Sequence, residues 1–253
     1  MSGEPLPPFV RRSSNEQDTR KTVREAAVRV RPRRSILKTL NVSRVPSSVV
    51  KPIVEDEHYL RSMPGGVVEC FGVYLAKALV GAVVISNGAR QGHRLLNAAS
   101  SRDVVTLSRL WLSDALPANS ESRVLGVVLR ELQRSASWKL ILSYADPAAG
   151  HLGTIYQASG WIYLGQTEPN PYIDLGDGKL LHPRSVYNRF GSNAAGHLRA
   201  TGIPATRRRV GGKHRYAYVL DPAWNWRLRG ARRPYPKRQI RGPPSDSPED
   251  HPP

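Results

Sequence analysis

The chain has 253 residues, 38 of them Lys or Arg and 20 Asp or Glu, for a formal charge of +18. Its 21 Gly and 21 Pro crowd toward the ends, which suits one compact domain with poorly ordered flanks. A lone cysteine, Cys70, excludes a disulfide scaffold and a thiolate-rich zinc site; apolar runs such as Ala78 to Ile85 are far short of the ~20 residues of a spanning helix; and no secretory signal is visible, so a soluble intracellular protein is expected.

Residues 1–45 are rich in Arg, Ser and Pro and read as a disordered basic segment, with a short helix possible from Thr22 to Val30. Residues 47–62 read as a short helix carrying the polar cluster Glu55 to Tyr59. Val67 to Tyr74 and Ala78 to Ser86 form a hairpin signal, followed by a polar connection from Asn87 to Asn97. Val104 to Leu112 reads as a strand, Ser113 to Ser120 as a loop, and Asn119 or Ser120 as the cap of a helix. In that helix Leu125, Val128, Leu129 and Leu132 share one face, with Arg123, Arg130 and Arg134 opposite.

Trp138 to Ser143 reads as a short buried strand, His151 to Ser159 as a helix and Trp161 to Leu164 as a strand. Residues 166–203 form a mixed insertion with a helix-like piece from Ser185 to Phe190, and Arg215 to Leu220 is the final strand. The expected fold class is α/β: a mixed central sheet with an antiparallel N-terminal hairpin and a parallel centre, flanked by helices. The domain is placed at 46–221, with a basic, then Pro-rich tail over 222–253.

The basic excess belongs to the flanks. Residues 204–241 hold twelve basic side chains and one acid, Asp221. Each cation that meets a phosphate releases a condensed counterion, and Arg, which far outnumbers Lys here, suits phosphate oxygens. Tyr216, Tyr218, Trp224, Trp226 and Tyr235 are interleaved with Arg207, Arg208, Arg209, Lys213 and Arg215, a composition suited to nucleic acid. Some of these aromatics equally suit anchoring of a final strand.

Three clusters carry candidate chemistry. Asp146 follows a buried strand, where open α/β sheets form ligand crevices, with His151 and Tyr156 as candidate acids or bases close behind; Asp146 before Pro147 is also a common turn residue. The strand residues Arg109, Leu110 and Trp111, followed by a helix opening at Asn119, Ser120 and Ser122, make a candidate anion or cofactor site. His58 and Tyr59 suit proton transfer or metal binding, or a structural role. No P-loop, dinucleotide fingerprint, His-Glu-x-x-His or Asp-Pro-Pro-Tyr motif occurs.

The segment Tyr144 to Trp161, reading Tyr-Ala-Asp-Pro-Ala-Ala-Gly-His-Leu-Gly-Thr-Ile-Tyr-Gln-Ala-Ser-Gly-Trp, resembles the hallmark of the phage Mom family. The similarity extends through Leu107 to Trp111, Asn119 to Ser122, His58-Tyr59, Cys70 to Tyr74 and Lys213 to Tyr218, and leaves the flanks uncovered. The resemblance implies a GNAT acyltransferase-like fold and conversion of adenine N6 in double-stranded phage DNA to N6-carbamoylmethyl-adenine, which protects against restriction in the bacterial cytoplasm. It places Arg109, Ser122, Asp146 and Tyr156 in the active cleft, with His58 and Tyr59 beside them and iron as an implied metal.

One departure stands out. The loop Pro117 to Ser122 has no Gly and carries Glu121, which would repel a pyrophosphate. A glycyl-type donor or a metal-assisted route therefore stays open beside acyl-CoA. The competing readings are an N-acyltransferase acting on another amine and a non-catalytic basic DNA-binding protein. The oligomeric state is open between monomer and dimer.

Overall fold

The computed structural model describes residues 39–89, 91–135, 137–178 and 180–237. Five strands follow chain order across one sheet: β1 (Leu40–Arg44), β2 (Val67–Leu75), β3 (Ala78–Asn87), β4 (Val104–Leu112) and β5 (Leu140–Ala145). The strand β10 (His214–Val219) then inserts between β5 and β6 (Ile162–Gln166), antiparallel to both. The expected mixed α/β sheet and antiparallel hairpin are present, but the parallel centre is a single pair, β4 with β5.

Each face of the sheet has its own apolar layer. On one, helix α2 (Ser120–Ser135) lays Val124, Leu125, Val128, Leu129 and Leu132 on Phe71, Val83, Val105 and Ile141. The helix is amphipathic, with Arg123, Arg130 and Arg134 exposed, and Glu121 at its start and Arg134 at its end complement its dipole. On the other face, Leu96 and Leu228 form a bridge over Leu140, Leu142 and Ala217. Helix α1 (Ser47–Glu57) covers Cys70, Ala82 and Val84 with Val50 and Val54.

Two parts of the expected flanks belong to this body. Residues 40–44 pair with β2 from Arg44↔Phe71 to Leu40↔Leu75. The segment after β10 is also held. Pro222–Arg227 forms a 3-10 turn, the Arg233 amide donates to the Tyr163 carbonyl at 3.0 Å, and the Tyr235 hydroxyl donates to the Trp161 carbonyl at 2.6 Å. The possible helix at Thr22 to Val30 and the Pro-rich end lie outside the described residues.

The insertion has more structure than its composition suggests. A second sheet, in the order β8-β7-β9, joins β7 (Asn170–Asp174), β8 (Leu180–Leu181) and β9 (Thr206–Val210). Helices α4 (Pro183–Phe190) and α5 (Ala195–Ala200) help close a separate small core of Ile173, Val186, Leu198 and Ala205. The ends of the insertion meet where Thr167 and Lys213 exchange hydrogen bonds, Thr167 N–H to Lys213 O at 2.9 Å and Lys213 N–H to Thr167 Oγ1 at 3.0 Å. A Cβ at Gly212 would lie 1.7 Å from the Thr167 carbonyl oxygen, so this neck requires glycine. Helix α3 (Thr154–Ala158) lies between β5 and β6 in the chain. Among the described residues, no helix is long and apolar enough to cross a membrane.

Leu125 is fully buried at the centre of the α2 layer. Leu125→Ala removes its contacts and leaves a cavity, so a loss of about 2–5 kcal/mol is expected in urea unfolding with an unchanged m-value.

Candidate active site

β4 and β5 pair only from Val104↔Leu140 to Thr106↔Leu142, although β4 runs on to Leu112 and β5 to Ala145. Past that point the strands part and their inward backbone groups need other partners. Ser143 supplies one: its Oγ lies 3.1 Å from the Leu107 carbonyl oxygen and 2.8 Å from the Tyr156 hydroxyl. The parting opens into a cavity of about 650 Å³, walled by Leu107 to Leu110, by Tyr144 to Asp146 and by Gly150 to Gln157. His58, Tyr59, Pro236 and Lys237 complete it.

Local geometry sets Tyr156 at the fork. Gly153 begins α3 with φ +73°, and a Cβ there would lie 2.4 Å from the Tyr216 ring and 2.9 Å from that of Tyr156. Tyr156 stacks at 5.1 Å on both Trp161 and Tyr216. Burial pushes its pKa up to about 12 against the opposing hydrogen bond from Ser143, so the phenol is protonated at neutral pH. Ser143 has one proton for two acceptors. When it goes to Leu107, Tyr156 donates to Ser143; when it goes to Tyr156, the phenol proton turns away from Ser143.

Asp146 caps the 3-10 turn Pro147–Ala149, accepting from Ala148 N–H at 3.0 Å, so the turn reading of this residue holds. Its other oxygen pairs with Lys213 Nζ at 3.1 Å. Burial alone draws the Lys213 pKa down, but the Asp146 hydrogen bond and the neighbouring Tyr172 and Tyr59 carry it above the ordinary lysine value. Arg109 donates from Nε to the Ser62 carbonyl at 2.8 Å and from a terminal nitrogen to the Ser108 carbonyl at 2.7 Å.

His58 is buried, and its Nδ1 accepts from the Leu60 amide at 3.1 Å, which places the proton of the neutral ring on Nε2. Burial, with Arg109 and His151 adding repulsion, holds its pKa down at about 4. Tyr59 is 51% exposed at the rim, its ring 4.5 Å from that of His58 and 5.2 Å from that of His151.

The fork therefore gathers Arg109, Leu110, Asp146, Tyr156, His58 and Tyr59. It does not gather the start of α2. The Ser122 hydroxyl donates to the Asn119 carbonyl at 3.1 Å, Ser120 is buried and donates to the Pro117 carbonyl at 2.6 Å, and Trp111 pairs with Ala82. Asn119 takes φ +70° before the helix. With its hydroxyls turned onto its own loop and Glu121 in its first turn, this helix end does not fit a pyrophosphate. Nor does the cleft fit the implied iron: among the described residues no three His, Cys, Asp or Glu side chains converge on a metal position, and Asp146 is committed to Lys213.

The basic candidates divide in the same way. Arg207, Arg208 and Arg209 are exposed on β9, the edge of the small sheet, with Arg208 paired to Asp174 at 3.3 Å. Lys213 instead pairs with Asp146 beside the cleft, and Arg215 is half-buried on β10 opposite Tyr144, its Nε enclosed. Sequence reasoning missed Ser143, Lys237 and the pairing of Lys213 with Asp146. A hydroxyl at the end of an otherwise apolar strand was the available signal for Ser143.

The sequence model of the Mom protein family matches residues 39–237. The methylcarbamoylase mom of Escherichia phage Mu is 29% identical over 209 residues, covering 79% of this chain and 85% of that protein. Among solved structures, spermidine N-acetyltransferase from Vibrio cholerae in complex with CoA and spermine aligns at 8% identity with a TM-score of 0.42, covering 72% of this chain and 96% of that one. A ribosomal L7/L12 alpha-N-protein acetyltransferase aligns at 10% identity with a TM-score of 0.40, covering 72% and 94%.

Unfolded histidine takes up a proton near pH 6.5, whereas folded His58 does so only near pH 4. Unfolding thus binds a proton in that window, and stability falls as the pH drops from 6.5 toward 4, by up to about 3 kcal/mol. Urea melts across this range should show the loss in the wild type and a shallower one in His58→Gln.

Proposed function

The chain belongs to the Mom protein family, a family of phage DNA-modification proteins, and on that premise we propose that it transfers a carbamoylmethyl or related group to N6 of adenine in double-stranded DNA, in the cytoplasm of the bacterial host. The observation that carries this reading is the fork: a carboxylate, a cation and a protonated phenol open onto one cavity of about 650 Å³, within the range of small-ligand sites.

Adenine N6 is paired inside the duplex, so the base leaves the stack to react. Tyr59, half exposed between two imidazoles, offers a ring face at the rim for the extruded base. The N6 lone pair is delocalised into the ring, so attack on the donor carbon needs help with the amine proton. Asp146 accepts that proton, and Lys213 keeps the carboxylate oriented. Tyr156, held by Ser143, gives its proton to the departing group, and water entering as the products leave takes the proton from Asp146 and returns one to the phenolate. Arg109, fixed by two carbonyls, retains N–H groups for a donor carboxylate or phosphate. The mismatch between a pyrophosphate and the α2 terminus favours a glycyl-type donor over acyl-CoA. The exposed Arg207 and Arg209 contact DNA phosphates.

Nucleosides from plasmid DNA of cells expressing the chain should contain a heavier deoxyadenosine on mass spectrometry, and DNA from cells expressing Asp146→Ala should lack it. Unmodified DNA with folded wild-type protein would shift the reading to another amine substrate. Tyr156→Phe should retain the fold and lose about 10²–10⁴-fold in rate. Arg207→Ala with Arg209→Ala should weaken duplex binding and lower the slope of log K against log salt by about 2, while the single-turnover rate at saturating DNA stays near wild type.

A further inference from the structure

The chain returns to the cavity after its last strand. Leu228 is bridged to Leu96, the Arg233 amide is bonded to Tyr163 in β6, and the Tyr235 hydroxyl is bonded to the carbonyl of Trp161, which is fully buried. The Tyr235 ring also lies 6.5 Å from that of Tyr216. These contacts hold residues 228–235 against the body as a strap. The next two residues, Pro236 and Lys237, line the cavity. The Mom family match runs through this strap and ends at residue 237.

The charges at the fork are not balanced. Two cations line the cavity, Arg109 and Lys237, while its one lining carboxylate, Asp146, is already paired with Lys213 at 3.1 Å. Arg109 donates to two neutral carbonyls, which leaves its charge uncompensated by them. Lys237 is exposed at the edge of the cavity. Such an excess suits an anionic ligand at the rim. A nucleotide drawn out of a duplex brings one: its base enters the cavity while the phosphodiesters on either side, each with one negative charge, stay at the mouth.

We propose that Lys237, held in place by the Tyr235 tether, binds a phosphodiester oxygen next to the extruded nucleotide, so that the C-terminal strap is part of the DNA site. This rests on the DNA-modification reading above. The same charge could be met by a phosphate or carboxylate of the group donor. The geometry favours the DNA backbone, because Lys237 stands at the open rim while Asp146 and Tyr156 mark the reacting end. Lys237 is a positioning residue; it takes no part in proton transfer.

The test uses the full chain, a fluorescent duplex and no donor, with binding measured from about 50 to 200 mM salt. Lys237→Ala is expected to weaken binding and lower the slope of log K against log salt by about 0.9, one phosphate contact. Lys237→Arg should restore both. Tyr235→Phe, which frees the strap from Trp161, should move the slope in the same direction as Lys237→Ala. A slope unchanged in Lys237→Ala overturns the proposal. So does a Lys237→Ala protein that binds duplex normally but needs more donor to reach its maximal rate. Nucleoside mass spectrometry of wild-type product, run in parallel, tests the modification reading separately from the salt slope.

Discussion

The loss of pairing between β4 and β5 after Thr106 and Leu142 is the constraint on which the site depends. A parallel pair that continued to the strand ends would fill the space with backbone hydrogen bonds and leave no cleft. Parting exposes polar backbone in a buried setting, at a cost of about 1–3 kcal/mol for each unmatched group. Ser143 offsets part of that by reaching the Leu107 oxygen, and the same hydroxyl places it against Tyr156. One serine thus repairs the sheet and ties its repair to a phenol buried at the fork.

The electrostatics follow from that enclosure. Burial favours the neutral forms of the rings at the fork, while the one carboxylate there meets a lysine. His58 stays unprotonated and Tyr156 stays protonated, in both cases chiefly through burial. Lys213 stands 3.1 Å from Asp146, and that hydrogen bond helps carry its pKa above the ordinary lysine value. Each ring's protonation is thus set by its own surroundings rather than by one shared field.

Much of this was legible in local pattern. β4 is bounded at Val104 and Leu112 as its alternation indicates, and the hairpin and the apolar face of α2 follow from runs and periodicity. Arg109, Asp146 and Tyr156, which line one cavity, each sit at the end or on the face of such an element. What stayed hidden was non-local. Nothing near Lys213 announces that β10 will slot between β5 and β6 and deliver its ammonium to Asp146. Composition likewise misjudged residues 40–44 and 222–237. An Arg-rich stretch resembles a tail until its few apolar and aromatic members, Leu228 and Tyr235 among them, find partners far away in the chain. The start of α2 was overvalued because a helix terminus looks available until its loop claims the hydroxyls.

The neck at Thr167 and Gly212 reaches beyond the one enzyme. Everything between these residues leaves and rejoins the main sheet at one point and is held by its own small core. Closing a loop of different length at such a point costs little, since the entropy of closure grows only slowly with length. The insertion can therefore vary while β6 and β10 keep their register, with Tyr172 of β7 an electrostatic tie to Lys213. Length and sequence can change in that segment without moving the strands that carry the cavity.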